Sequence, residues 1–177
     1  TPIRGWIAVG SLYYIVHRGT LYEVDNAGTK TARGTINTTS GRVDMAYDGT
    51  RILITTGTSG YTYRISTLTL TIIASAGFID AANTCTWLDG QFIADFGTGS
   101  DSYAISADGV TWDALDFASA ESAPDGVVRV FADSGQIVLF GEGTTEFVGD
   151  SGAADFPFAT IKGATQEFGL AARWSLT

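Results

Sequence analysis

A period of about forty residues, repeated through the chain, limits the possible folds more than any other feature of the sequence. Its clearest copy runs from Thr84 to Phe117, where turn residues such as Asp89-Gly90 and Asp108-Gly109 separate short runs of β-branched and aromatic residues. Strands are predicted at Thr84–Leu88, Gln91–Phe96, Ser102–Ser106 and Val110–Leu115. This copy is therefore predicted to form one antiparallel four-stranded meander.

Two landmarks indicate that the meander occurs four times. The third strands share an aromatic residue, any residue, Val or Ile, and a small or polar residue, beginning at Tyr22, Tyr63, Tyr103 and, more weakly, at Glu146. The turn glycines before the second strands step by 39, 41 and 45 residues; they are Gly10, Gly49, Gly90 and Gly135. Repeated four-stranded meanders of this length are typical of a β-propeller.

We therefore predict an all-β, propeller-like fold over 1–177, with blades at about 4–36, 43–74, 84–117 and 127–161 and the start of a further blade at 171–177. The remaining strands are predicted at Arg4–Val9, Ser11–His17, Thr20–Asp25 and Lys30–Ile36, then Val43–Tyr47, Arg51–Thr56, Tyr61–Ser66 and Leu70–Ala74, then Val127–Ala132, Gln136–Phe140, Thr144–Val148, Phe156–Ile161 and Ala171–Leu176. A linker, Ser119–Gly126, precedes the fourth blade, and Ala114–Ala123 has room for a short helix. Because the chain begins without Met and ends within a strand-like run, we expect it to be part of a larger propeller.

The repeat also predicts how aromatic residues pack. Tyr22, Tyr63 and Tyr103 should occupy equivalent positions in successive blades, and Trp87 and Trp112 should be largely buried.

Composition narrows the classes of function. The 177 residues carry a formal net charge of −9 and a pI near 4.3, which disfavours direct binding to nucleic-acid phosphates. No apolar run has the length of a transmembrane helix. The one cysteine, Cys85, lies in an apolar strand, so we expect a small buried side chain there and not a disulfide.

Two motifs resemble catalytic or repeat signatures. Ser106–Trp112 is one residue short of the Asp-box S-x-D-x-G-x-T-W, whose Asp caps a turn and whose Trp packs between blades. Gly149–Gly152 reads GDSG, as in chymotrypsin-like proteases, but the only histidine, His17, lies in an unrelated context, so a loop is the better interpretation. The acidic residues show no selected pair, and metal-site spacings are missing from the sequence. We predict no catalytic, cofactor-binding or metal-binding residues.

The second half of the chain resembles the tail-hub or packaged-DNA stabilisation proteins of short-tailed bacteriophages. The motifs that carry the resemblance are Leu88-Asp89-Gly90, Trp112–Phe117 with Ala120-Glu121 and Pro124-Asp125, Phe140-Gly141-Glu142 with Thr145-Glu146, Phe156-Pro157-Phe158, Gly163-Ala164, Glu167 and Gly169. Looser matches in the first half are Arg4-Gly5, Leu21-Tyr22 and Gly60-Tyr61. The chain departs from the family at Val148-Gly149, where an aromatic pair is usual, and at Leu170, where Cys is usual.

The resemblance implies a structural, non-enzymatic protein of the virion tail. Such a protein would form a ring of identical copies below the portal and adaptor ring, carry the needle or tailspikes, and help to seal packaged DNA in the capsid, without a cofactor. A carbohydrate-binding or glycoside-cleaving propeller is the alternative, suggested by the near Asp-box and the aromatic content. The alternative requires a concave pocket with a convergent pair of acids, whereas a hub requires broad contact surfaces.

Overall fold

The computed structural model describes residues 2–120 and 125–176, which form sixteen strands in four antiparallel sheets. The first sheet contains β1 (Ile3–Val9), β2 (Leu12–His17), β3 (Thr20–Val24) and β4 (Lys30–Thr35), and the second contains β5 (Asp44–Tyr47), β6 (Arg51–Thr55), β7 (Gly60–Arg64) and β8 (Thr69–Ile72). The third contains β9 (Cys85–Leu88), β10 (Gln91–Asp95), β11 (Ser102–Ser106) and β12 (Phe117–Ser119), and the fourth contains β13 (Arg129–Asp133), β14 (Gln136–Phe140), β15 (Thr145–Asp150) and β16 (Phe158–Thr160). Within each sheet, every strand pairs with the next one in sequence, which confirms the predicted all-β fold of four consecutive four-stranded meanders.

Turn chemistry sets the register of the first hairpin in each sheet. In the third sheet Asp89 and Gly90 both have positive φ angles, of 48° and 81°, and in the fourth Ser134 and Gly135 have 50° and 78°. Two successive residues of positive φ form the type of turn whose twist matches that of a hairpin. The turn glycines therefore place Leu88 opposite Gln91 and Asp133 opposite Gln136.

The sheets stack face to face in chain order. Side chains alternate between the two faces of a strand, so Ile52 and Ile54 of β6 join the first sheet while Leu53 joins the third. Three buried clusters result, one at each junction between consecutive sheets. They include Tyr14, Leu21 and Tyr63 at the first junction, Leu53, Phe92 and Trp112 at the second, and Ile93, Tyr103 and Ile137 at the third.

The fourth strand of the third sheet was predicted wrongly at Val110–Leu115. It is β12, Phe117–Ser119, which runs past the predicted blade end at residue 117. The carboxylate of Asp108 accepts hydrogen bonds from the backbone N–H groups of Val110 and Thr111, at 2.8 and 2.7 Å. These amides are thus committed to a turn and are not available for a strand ladder.

Two further predictions about irregular segments are wrong. Ala171–Leu176 is a turn-containing segment and not a strand, because its polar groups bond locally or to loops, as in the Ser175 hydroxyl that donates to Ala172. Residues 114–120 of the proposed short helix form a turn followed by β12. The rest of that proposal, and half of the predicted linker, lies outside the described residues.

The expected equivalence of the three tyrosines is also wrong. Tyr22 pairs with Ile15 on the outer face of the first sheet, whereas Tyr63 lies on the corresponding face of the second sheet but two positions along, where it pairs with Ile52. Tyr103 belongs to the cluster between the third and fourth sheets, so it faces the opposite way. The recurring sequence pattern is shifted against the hairpin register, and shifting by one residue reverses the face that a side chain occupies.

The two tryptophans that were predicted to be buried differ in their exposure to solvent. Trp112 is 3% exposed, as predicted. Trp87 is 37% exposed because it lines the cavity along the inner strands and not the space between two sheets.

Candidate functional site: the axial cluster and the open sheet faces

The first strand of every sheet contributes to one cavity along the axis around which the sheets are arranged. This axial cavity has a volume of about 300 Å³, and its lining includes Ile7 of β1, Met45 of β5, Thr86 of β9 and Phe131 of β13. Backbone groups connect neighbouring inner strands, as where Val43 N–H donates to the carbonyl of Arg4 at 3.1 Å. Gly5 permits this approach, because a Cβ there would lie 2.4 Å from the Val43 carbonyl oxygen.

A partly buried acid, Asp44, links three sheets at this axis. Its Oδ2 accepts a hydrogen bond from the Cys85 backbone N–H at 3.1 Å, and its Oδ1 lies 3.6 Å from the guanidinium of Arg129. Burial raises the pKa of Asp44 to about 6, although the charge of Arg129 opposes this effect. The second, third and fourth sheets are therefore joined through one titratable carboxyl group.

A fully buried acid, Asp95, organises the start of the third sheet. Its carboxylate accepts hydrogen bonds from the backbone N–H groups of Asn83, Thr84 and Gly97, each at 2.8 Å, and from the Thr84 hydroxyl. The same hydroxyl accepts the Val130 N–H of the fourth sheet at 3.0 Å. Burial raises the pKa of Asp95, while these donors act in the opposite direction. Asp44, Asp95, Thr84 and Arg129 are called the axial cluster below.

An aromatic side chain from the last described segment reaches the axial cluster. The ring of Trp174 lies between two guanidinium groups, with its centroid 5.3 Å from Cζ of Arg129 and 5.7 Å from Cζ of Arg42. Arg173 donates to the carbonyl of Val128 at 2.8 Å. Cation–π contacts of this kind hold the segment across the second and fourth sheets.

The outer face of the first sheet is apolar and open to solvent. Trp6 is 61% exposed and Tyr13 is 42% exposed, and their ring centroids lie 6.1 Å apart. Ile15 and Tyr22 lie beside them, paired across β2 and β3. Trp6 pairs with Ile15 across β1 and β2, so these side chains share one face, called the leading face.

The outer face of the fourth sheet is apolar as well. Phe131, Val138 and Phe147 pair across β13, β14 and β15, and Phe131 is 38% exposed. The segment after β16 contacts one end of this sheet, where Leu170 N–H donates to the Gly141 carbonyl at 2.9 Å.

The Asp-box-like turn has the structural role that the sequence predicted. Burial acts to raise the pKa of Asp108, but hydrogen bonds from Thr111 and Val110 outweigh it and hold the pKa below its ordinary value. Trp112 packs edge-on against Phe78 between the second and third sheets, with ring centroids 5.1 Å apart. The Ser75 hydroxyl binds both the carbonyl and the N–H of Trp112.

The GDSG motif is a turn at the end of β15. Ser151 donates through its hydroxyl to the carbonyl of Pro157 at 3.0 Å, and Asp150 accepts the N–H of Gly152 at 2.7 Å. His17 lies at the end of β2 in the first sheet, whereas the GDSG motif ends β15 of the fourth, which agrees with the interpretation of this motif as a loop and not as part of a catalytic triad. Cys85 is buried as predicted, and burial raises the pKa of its thiol well above the ordinary value.

Sequence reasoning missed the axial cluster and Trp174. Asp44 and Arg129 are far apart in sequence and belong to different repeats, and no local spacing distinguishes them from the other charged residues. Among the described residues there is no group of three or more His, Cys, Asp or Glu placed to hold a metal ion. The same part of the chain has no helix with the length and apolar character needed to cross a bilayer.

One protein family matches this chain at the level of sequence. The model of that family, described as Bacteriophage P22 Gp10, beta-propeller, aligns with residues 3–177. None of the curated proteins compared with the chain matches it.

Solved structures support the same fold. The computationally designed Ika8 protein superposes with a TM-score of 0.65 at 10% identity, over 97% of this chain and 52% of its own. PorZ, an essential bacterial surface component of the type-IX secretion system of Porphyromonas gingivalis, superposes with a TM-score of 0.54 at 12% identity, over 90% of this chain and 20% of its own. The chain thus spans about half and about one fifth of these proteins.

Proposed function

Because the chain belongs to the phage stabilisation family of Bacteriophage P22 Gp10, and is therefore a structural protein of the phage tail, we propose that it helps to seal packaged DNA in the capsid. In this role it forms part of the tail hub or head–tail connector, contacts the portal or adaptor ring, and carries needle or spike proteins. It acts through contacts between proteins and not through catalysis. The family match over residues 3–177 is the observation that carries the proposal.

The two open apolar faces support a role in assembly. Exposed contiguous aromatic surface is unfavourable in an isolated protein and is typical of an interface. Trp6, Tyr13 and Phe131 are each more than one third exposed, and they lie on regular sheets that hold them in place. Such faces suit broad contacts better than the enclosed recognition of a small sugar.

Electrostatics support a role beside DNA without binding to it. The net charge of −9 repels phosphate at short range and provides few counterion-releasing contacts. Many acidic side chains are also held in turns: Asp25 and Asp48, like Asp108, accept backbone N–H groups. Fixed surface carboxylates of this kind give DNA no site to adhere to as it passes through the tail.

The decisive experiment removes the full-length protein from the phage. Capsids assembled without it should package DNA and then lose it, and supplying the protein in trans should restore retention. DNase-protected DNA per particle measures the effect. Particles that keep their genome without the protein would contradict the sealing role.

Two assays on the purified chain separate the sealing role from its alternative. The chain should not retard duplex DNA at low salt, and it should not hydrolyse sialosides or other glycosides. Glycosidase turnover that disappears when an acidic residue is changed to its amide would favour a glycoside-cleaving propeller instead.

A further inference from the structure

A groove opens between the second and third sheets, at the end where β6 begins and β7 ends. It has a volume of about 310 Å³ and is lined by Arg51, Arg64, four threonines and Val110. Arg51 is the first residue of β6 and Arg64 is the last residue of β7, and the two residues pair across these strands. Val110, in the Asp-box-like turn after β11, supplies the third sheet's part of the lining. This opening is called the arginine groove.

The hairpin register places both arginines on the face that packs against the third sheet. Residues two positions apart on a strand share a face, and Leu53, two positions after Arg51, belongs to the apolar cluster between the second and third sheets. Thr62, two positions before Arg64, pairs with Leu53 and donates its hydroxyl to the carbonyl of Gly109. The arginine groove therefore continues this apolar junction to the surface of the protein.

The two guanidinium groups carry like charges that the surrounding residues compensate only in part. Like charges directly opposite each other on paired strands repel. Nη1 of Arg51 lies 3.7 Å from Oδ2 of Asp48, but the buried Nε of Arg51 has no hydrogen-bond partner among the described residues. Arg64 is exposed, and within the same part of the chain it has neither a hydrogen bond nor an ion pair. Both arginines thus keep N–H donors that can bind an anion.

The rest of the lining is uncharged and carries hydroxyl groups. Arg64 pairs with Thr69 of β8, so a threonine extends the row of the two arginines to the outer strand. The Thr69 hydroxyl donates to the carbonyl of Thr67 at 3.1 Å, and the Thr71 hydroxyl has no partner among the described residues. None of the described residues that line the groove is acidic. The lining therefore offers donors to an anion and hydroxyl groups to a polar body attached to it.

We propose that the arginine groove binds a tetrahedral oxyanion, a phosphate or sulfate group, between Arg51 and Arg64. A guanidinium group binds two oxygens of an oxyanion through parallel N–H groups. The two oxygens of a planar carboxylate are satisfied by one guanidinium, whereas a tetrahedral anion has enough oxygens for two. The bound anion also offsets the repulsion between the paired arginines, so its binding stabilises the folded protein.

The anion has two sources that the groove accommodates. A volume of about 310 Å³ holds a free phosphate or sulfate ion, and it also holds a small sugar that carries such a group, whose hydroxyl groups bind the threonines. The groove lacks the long row of cations that a DNA duplex requires, so the inference agrees with the expected absence of DNA binding. It does not rest on the proposed function, and the loss of either one leaves the other standing.

A nuclear magnetic resonance titration tests the site directly. At constant ionic strength, inorganic phosphate and sulfate should shift the side-chain Nε–H signals of Arg51 and Arg64 saturably, and acetate should bind more weakly. Arg51→Gln and Arg64→Gln should each weaken phosphate binding by about tenfold or more, because each removes charge-assisted hydrogen bonds. Arg42→Gln is the matched control: Arg42 is an exposed arginine outside the groove, so this variant should keep the affinity of the wild type.

Thermal unfolding separates a binding role from a structural one. Phosphate should raise the melting temperature of the wild type, as any ligand of the folded state does. Arg64→Gln should abolish this increase, while its melting temperature without phosphate should stay the same or rise, because the repulsion is relieved. A lower melting temperature without phosphate would instead show a structural arginine and contradict the inference.

A comparison of three probes identifies the source of the anion. Glucose 6-phosphate that binds more tightly than inorganic phosphate, with no binding of glucose, would assign the site to a sugar phosphate, and equal affinities would assign it to the free oxyanion. Three results would overturn the inference. They are no saturable binding of phosphate, sulfate or glucose 6-phosphate, affinities that Arg51→Gln and Arg64→Gln leave unchanged, and an equal loss of affinity in Arg42→Gln, which would show attraction by net charge alone.

Discussion

The junctions between sheets and the axial ends of the same sheets are held together by different physics. At the junction of the second and third sheets, Leu53, Phe92 and Trp112 pack in an apolar cluster. At the axis, the partly buried Asp44 and the buried Asp95 lie among backbone donors, a hydroxyl and a guanidinium. Apolar packing loses stability in proportion to the atoms removed, whereas a buried polar cluster depends on each partner and on protonation.

The apolar junctions and the axial hydrogen bonds therefore act on different properties of the protein: its stability and the arrangement of its sheets. Removing apolar surface from water drives the sheets together without fixing their mutual orientation. Directional bonds at the axis, such as those of Thr84 with Asp95 and Val130, fix the spacing of the inner strands. The apolar junctions thus supply most of the stability, and the axial cluster sets the arrangement of the sheets.

The largest effect is expected at an apolar junction. Trp112→Ala should lower the free energy of unfolding by about 3–5 kcal/mol, because it leaves a cavity beside Phe78. Trp87→Ala is the matched control, since Trp87 is 37% exposed, and it should lower that free energy by about 1 kcal/mol or less. Urea denaturation measures both. Equal losses of unfolding free energy in the two variants would contradict the larger contribution expected from packing at the junction.

The contribution of the axial cluster to the free energy of unfolding should depend on pH. Because the folded-state pKa of Asp44 is about 6, above that of an unfolded aspartate, its contribution to stability is largest in acid and is lost as the pH rises toward and through that value. The stability of the wild type relative to Asp44→Asn should therefore fall by on the order of 2 kcal/mol between about pH 4 and pH 7.

Asp108→Asn provides a control for which the expected change of stability with pH has the opposite sign. The folded-state pKa of Asp108 is lowered, so its contribution appears above the unfolded pKa and is lost as the pH falls. The stability of the wild type relative to Asp108→Asn should rise with pH over the acidic range. Slopes of the same sign for the two variants would contradict the assignment of Asp44 to a buried cluster.

The smallest effect concerns two tyrosines that meet inside an apolar junction. The ring centroids of Tyr14 and Tyr63 lie 5.4 Å apart, and the Tyr14 hydroxyl donates to Glu23 at 3.0 Å. The buried Tyr63 hydroxyl has no hydrogen-bond partner among the described residues. Tyr14→Phe should therefore lower the free energy of unfolding by about 1 kcal/mol, and Tyr63→Phe should leave it unchanged or raise it slightly. Thermal unfolding of both variants checks the order, and a larger loss for Tyr63→Phe would contradict it.

The sequence predicted the sheets well because their signals are local. Turn pairs such as Asp89-Gly90 fix a hairpin within a few residues, and the repeat period then identifies the equivalent hairpins in the other sheets. The fourth strand of the third sheet was missed for a local reason as well. Val110–Leu115 has the composition of a strand, but the side chains of Asp108 and Asp113 bind its backbone amides.

The axial cluster was not predictable because its signal is not local. The pairing of Asp44 with Arg129 depends on how three sheets are placed around the axis, which no short motif encodes. The exposure of Trp87 has the same origin, since the hairpin register gives its face but not the width of the axial cavity. Side-chain faces therefore follow from sequence only where the neighbouring sheet is already known.

The pairing of every strand with its immediate neighbour in sequence has a consequence for biosynthesis. Within residues 2–120 and 125–176, no strand has to wait for a partner from a distant part of the chain, so the loop that must close before each hairpin forms is short. Each meander can begin to pair as it leaves the ribosome, and its apolar face is then covered when the next meander emerges. The leading face of the first sheet is the exception, because no later sheet among the described residues covers it.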